Sequence, residues 1–205
     1  MNTPVRIHVP ADRLPRWVEN FSSRHDGSRL AVQDGALAGV AGDGSTFVAR
    51  LPFEASYDGP ADVPAFVAQA APPGAWGVLL VRKGGFAVAR LSGADMSEHK
   101  IGQRHVQGRT KAGGQSQQRF SRRRDNQARQ AYEAAAGHAA RVLGPAALPV
   151  VVGGDHTAVA EVLGDPRLRR VSVVQPWLAV PDPRRAVLDA AIAEAAAIAV
   201  EVLNA

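Results

Sequence analysis

From Ser116 to Leu143 the chain runs without a proline and reads as one long helix. A helix of that length must lay an apolar face on something. Phe120, Ala128, Ala131, Ala135, Ala139 and Val142 recur at helical spacing and form that face. The apolar run that follows, residues 148–152, is unbroken, as expected of a strand buried on both faces in a parallel sheet. Upstream, residues 76–81 and 86–91 flank Arg82-Lys83-Gly84-Gly85, a hairpin signal. Downstream, residues 155–163 read as a helix, 171–174 as a second buried strand and 183–202 as an Ala-rich helix. Strands alternating with helices from Trp76 onward predict an α/β class, a mixed sheet flanked by helices.

Before Trp76 the pattern changes. Residues 5–9 alternate like a short strand, and residues 11–24 place Leu14, Trp17, Val18 and Phe21 at helical spacing. Residues 30–40 and 45–51 read as a strand pair around Gly42-Asp43-Gly44. Residues 57–64 read as a loop, and 63–71 as a short helix stopped by Pro72-Pro73. Pro72-Pro73-Gly74 is the best internal boundary. Residues 1–72 are therefore expected as an N-terminal α+β segment packed on the same core as an α/β domain of residues 73–205.

The chain has 205 residues, enough for one good-sized domain or two small ones. Hydrophobic residues make up 46% and aromatics 5%, so Ala, Val and Leu must fill the core. There is no cysteine, which excludes disulfides and thiolate zinc sites. The N-terminus Met-Asn-Thr-Pro-Val-Arg lacks the apolar run of a signal peptide, and no window holds the roughly 20 apolar residues of a membrane span. A soluble, cytoplasmic protein with no membrane partner is expected.

The net charge of +5 is unevenly placed. Lys100, Arg104, Arg109, Lys111, Arg119, Arg122, Arg123, Arg124 and Arg129 fall within thirty residues against one acid, Asp125. Residues 92–115 carry few large apolar side chains (Met96, Ile101, Val106) and read as a long, mobile, basic loop. That loop ends in Gly113-Gly114-Gln115, directly before the helix. The glycines permit backbone angles that a side chain forbids, so the chain can approach a substrate closely and present Gln115. Arg122-Arg123-Arg124 without interleaved acids repels itself and implies an anionic partner; RNA, not DNA, is the expected polyanion. Lys100, Arg104, His105, Arg109, Lys111, Ser116, Arg119, Arg122, Arg123 and Arg124 are the candidate RNA contacts. His99 and His105 flank the loop, but without cysteines or an acid cluster a metal site is not expected, and no cofactor is implied. Gly153-Gly154-Asp155-His156-Thr157 lacks the Lys and Ser/Thr of a phosphate-binding P-loop and reads as a turn with Asp155 capping the next helix.

Taken in order, these motifs carry a resemblance. Trp76-Gly77-Val78-Leu79-Leu80-Val81, Gly84-Gly85-Phe86-Ala87-Val88-Ala89-Arg90-Leu91, Arg109-Thr110-Lys111-Ala112-Gly113-Gly114-Gln115-Ser116 and Arg119-Phe120-Ser121-Arg122-Arg123-Arg124 resemble the middle domain of the eukaryotic and archaeal class I peptide-chain release factors. Composition and size look most like the actinobacterial branch of release-factor-like peptidyl-tRNA hydrolases. The resemblance spans roughly residues 76–174 and implies an α/β sheet domain with a long basic Gly-Gly-Gln loop, making residues 73–205 the catalytic part. It implies as substrate the ester joining a nascent peptide to tRNA, on the ribosome or its large subunit, with Gly113, Gly114 and Gln115 as the catalytic group. Nothing in residues 1–75 resembles the family's codon-reading domain, so codon-independent rescue is favoured over termination. Two alternatives stay open: cleavage of the tRNA near its 3′ end, and a non-catalytic RNA- or ribosome-binding module.

Overall fold

The computed structural model describes residues 3–103 and 116–205, with residues 116–128 described by their backbone alone. The chain divides into two compact units, residues 1–73 with 192–205, and residues 74–191.

The first unit is built on an antiparallel sheet of β1 (Val5–Val9), β2 (Ser28–Gln33), β3 (Ala36–Ala41), β4 (Thr46–Arg50) and β10 (Ile198–Leu203), in the order β1-β10-β4-β3-β2. Helices α1 (Leu14–Arg24) and α2 (Val63–Ala68) complete it. Its core is aromatic. Trp17 stacks on Phe21 at 5.7 Å, and both meet the ring of Phe47 edge-on at 5.3 and 5.1 Å. Asp62 caps α2 through a 3.0 Å bond accepted from the Ala65 N–H. The predicted strand 30–40 is a hairpin. Asp34 and Gly35 take φ of 48° and 70°, the left-handed pair that a tight two-residue turn requires.

The second unit is a mixed sheet flanked by helices. Strands β5 (Trp76–Arg82), β6 (Gly85–Ser92), β7 (Asp95–Gln103), β8 (Leu148–Gly154) and β9 (Val171–Leu178) lie in the order β7-β6-β5-β8-β9. The β5-β6-β7 meander is antiparallel, and β8 joins β5, then β9 joins β8, in parallel. Helix α3 (Ser116–Leu143) packs on β5, β6 and β7, and α4 (His156–Leu163) packs on β5, β8 and α3. At roughly 1.5 Å per residue, the 28 residues of α3 span about 42 Å. One face of the sheet (Leu79, Val81, Phe86, Val88, Val150, Val152) packs with Ala135, Ala136, Ala139, Val142 and Leu143 of α3. Val78, Leu80, Ala87, Ala89 and Val151 on the opposite face are buried as well, so β5 and β8 read as unbroken apolar runs.

Four expectations need correction. Residues 95–103 are a strand, not part of a loop; β7 is a sheet edge whose polar side chains are mostly exposed, and its pairing is carried by backbone. Residues 171–174 belong to an edge strand instead of a buried one, with Val173 47% exposed. The predicted helix 183–202 ends early: α5 covers Arg185–Ala195, and β10 follows. That strand enters the first sheet between β1 and β4, so residues 192–205 group with residues 1–73, and each unit buries its own apolar cluster.

Candidate functional site

Strand β7 ends at Gln103 and helix α3 begins at Ser116. The catalytic candidates Gly113, Gly114 and Gln115, with Arg104, His105, Arg109 and Lys111, fall in the intervening segment and lie outside the described residues. Ser116 is the first residue of α3, and Arg119, Arg122, Arg123 and Arg124 lie along the backbone of its first two to three turns. Lys100 is described. It is exposed on β7, opposite Val88, and therefore on the sheet face that α3 covers.

The far end of α3 is fixed. Arg90 Nη1 donates to the Leu143 carbonyl at 2.6 Å, satisfying a carbonyl left over at the helix C-terminus. Gly144 follows at φ 73° and donates its N–H to Ala140 O at 3.1 Å. Arg141 pairs with Glu98 of β7 at 3.5 Å.

Where β7 ends, the second unit opens into two adjoining clefts. A cleft of about 240 Å³ is lined by Val81, Phe86, Gly102, Gln103, Ala131 and Ala135, among others. A more open one of about 640 Å³ is lined by Lys83, Gly154, Asp155, His156, Thr157 and Asp182, among others. Arg82, Lys83 and Tyr132 belong to both. They lie at the C-terminal ends of the parallel pair β5 and β8, where open α/β sheets place their ligands.

The wall of the open cleft is two turns latched together. Asp155 N–H donates to Val81 O at 2.8 Å, and Lys83 N–H donates back to Asp155 Oδ2 at 3.3 Å. Gly154 makes this possible: its φ is 100°, and a Cβ there would stand 2.2 Å from Val81 O. Arg82 fills the remaining gap, donating to Val180 O at 2.7 Å with Asp155 at 3.6 Å and Asp182 at 4.0 Å. Asp155 thus occupies the N-cap position of α4 as expected, but its carboxylate faces the β5–β6 turn and makes no cap bond. Burial, and then the charges of Asp155 and Glu161, raise the Tyr132 phenol above its ordinary pKa, keeping it a neutral donor. The His156 ring lies on Trp177 with centroids 3.7 Å apart and 14° between planes. His99 lies 3.5 Å from Arg185, and no group of His, Asp or Glu suited to a metal occurs among the described residues.

Sequence reading missed Arg82, Tyr132, Trp177 and Asp182 as site residues. The available signal was the paired glycines, Gly84-Gly85 and Gly153-Gly154, which mark two turns able to approach each other closely.

No helix among the described residues is long and apolar enough to cross a membrane. A family model described as Actinobacteria/chloroflexi VLRF1 release factor matches residues 74–201. A search of curated proteins found no match. Among solved structures, the chain is similar to one described as the Vms1 mitochondrial localization core, at 12% identity and a TM-score of 0.39, covering 92% of this chain and 80% of that one. An archaeal protein gives 12% identity and 0.36, covering 91% and 62%. Pelota from Archaeoglobus fulgidus gives 9% identity and 0.24, covering 94% and 65%.

Proposed function

The chain belongs to the actinobacteria/chloroflexi VLRF1 release factor family, and we propose that within it this protein is a codon-independent peptidyl-tRNA hydrolase that frees nascent chains from stalled ribosomes or large subunits in the cytoplasm. The observation that carries the reading is the Gly113-Gly114-Gln115 tripeptide, which falls inside the matched residues and immediately before the first residue of a 28-residue helix.

Ester hydrolysis needs a positioned water and stabilisation of the developing oxyanion. An amide has no useful pKa, so Gln115 is not a general base. Its side chain orients the water, and its backbone N–H donates to the tetrahedral oxygen. Gly113 and Gly114 let that backbone into a narrow site. The ribose hydroxyl beside the ester and ribosomal RNA supply the proton transfer, so no Asp/His pair on this chain is needed. The basic residues between Lys100 and Arg129 hold RNA phosphates.

The test is incubation with ribosome–peptidyl-tRNA complexes, resolving free peptide and tRNA on gels. Release of peptide with intact tRNA, lost in Gln115→Ala, supports the reading. A tRNA shortened at its 3′ end would replace it with the endonuclease, and no turnover with tight binding would replace it with a binding module.

A further inference from the structure

The open cleft at the ends of β5 and β8 has a charge balance that decides what it can hold. Its lining includes two cations, Arg82 and Lys83, and two carboxylates, Asp155 and Asp182. Arg82 is committed to Asp155, Asp182 and the Val180 carbonyl. The lining as a whole is close to neutral, unlike the arginine-rich half of α3, and does not attract a polyanion by charge. It offers instead a ring. The His156 imidazole lies flat on Trp177 at 3.7 Å, its own residue is exposed, and it lines the cleft. Trp177 therefore covers one face of the imidazole, and the exposed part of the residue borders the cleft. An aromatic ring held rigid from behind is a stacking platform, because its orientation is fixed before a partner arrives. The same cleft is lined by polar residues: Thr157, Asp182 with its side chain 69% exposed, and Lys83.

We propose that this cleft binds one unpaired nucleobase of single-stranded RNA, stacked on the free face of His156 in continuation of the His156–Trp177 pair. Asp182 accepts from an exocyclic amine of the base, and Lys83 meets the adjoining phosphate. The site rests on the reading above only in taking RNA as the partner. It adds a contact that recognises an unstacked base, where the arginines of α3 offer a sequence-blind attraction to phosphate.

The test uses the full chain and a short single-stranded RNA carrying a fluorescent adenine analogue whose emission is quenched by stacking, read at saturating protein so that affinity does not enter. The wild-type protein should quench it, and His156→Phe, which keeps a ring, should do so too. His156→Ala should lose the quenching, since one stacked base is worth roughly 5- to 150-fold in the ratio of stacked to unstacked base within the bound complex. Gln115→Ala should quench like the wild type while failing to release peptide, so the two proposals fail separately. Equal quenching by wild type and His156→Ala, or none by the wild type, would overturn the assignment.

Discussion

The two halves of α3 are built on opposite rules. The C-terminal half is small and apolar where it meets the sheet: Ala135, Ala136, Ala139, Val142 and Leu143 are buried. Its end is tied by Arg90 and by the left-handed Gly144. The N-terminal half carries Arg119, Arg122, Arg123, Arg124 and Arg129 against Asp125. Like charges a turn apart cost a helix about 0.2–0.5 kcal/mol per pair. Burying a side chain such as Val142 or Leu143 contributes roughly 1.5–3 kcal/mol. The packed half therefore offsets the repulsion in the charged half several times over. A helix anchored at one end can carry a run of cations at the other, where an isolated peptide of the same sequence would gain nothing from it.

If the division holds, changes at the charged end alter chemistry and binding, and changes at the packed end alter stability. The largest effect is expected one residue before α3. Gln115→Ala should slow peptide release by about 10²–10³ while leaving the urea midpoint in place, as measured on stalled complexes and by equilibrium unfolding. Gly114→Ala should be comparably slow, and the double variant little worse than either, as for two residues acting as one unit. Next comes Leu143→Ala at the packed end. Leu143 is fully buried, and its Cδ2 stands 2.5 Å from where a Cβ on Gly77 would be, so it fills the space over bare backbone of β5. The loss should be about 2–5 kcal/mol in unfolding free energy, with the salt slope of RNA binding unchanged. Third, Arg122, Arg123 and Arg124 changed together to Ala should lower the log–log salt slope of ribosome or tRNA binding. The drop should be about 0.7–0.9 for each phosphate no longer neutralised, with stability within about 0.5 kcal/mol of wild type. An unchanged slope would show these arginines to be merely solvated. The smallest effect tests whether any charge counts at the packed end. Arg141 and Glu98 pair at 3.5 Å with side chains 60% and 46% exposed, so Glu98→Gln should cost less than about 1 kcal/mol by urea unfolding.

What could be read from the sequence follows burial. The strand 148–152 was legible because a strand covered on both faces leaves an unbroken apolar run, and the helix read over 116–143 matches α3, which stops just short of Pro145. Strand β7 was not legible. Asp95, Ser97, Glu98, His99 and Lys100 line a sheet edge, and such a strand carries no hydrophobic period to detect. Gly102 further weakened the pattern, although the Phe86 ring of β6 occupies the space its missing side chain leaves. The hairpin at Asp34-Gly35 was missed although Asp-Gly is a strong turn signal, because apolar residues continue on both sides. Residues 198–203 were absorbed into an Ala-rich helix, although Ile198, Val200 and Val202 alternate. The latch between Lys83 and Asp155 joins residues 72 apart in the chain, which no local pattern encodes. The stack of His156 on Trp177 joins residues of α4 and β9, again beyond the reach of a local pattern.

Strand β10 sets an order of events in synthesis. Among the described residues, strand β1 is paired with β10 alone, and β4 has β10 on its outer side. Residues 5–9 are made first and wait for residues 198–203 before they find a partner, while the whole second unit is made in between. The first unit is a discontinuous domain, and the second is inserted within it. During translation the second unit can complete its sheet while the first still has open edges, β1 unpaired and β4 bare on one side. A fragment ending at residue 73 would keep those edges indefinitely, and a free β edge is a template for pairing with another chain.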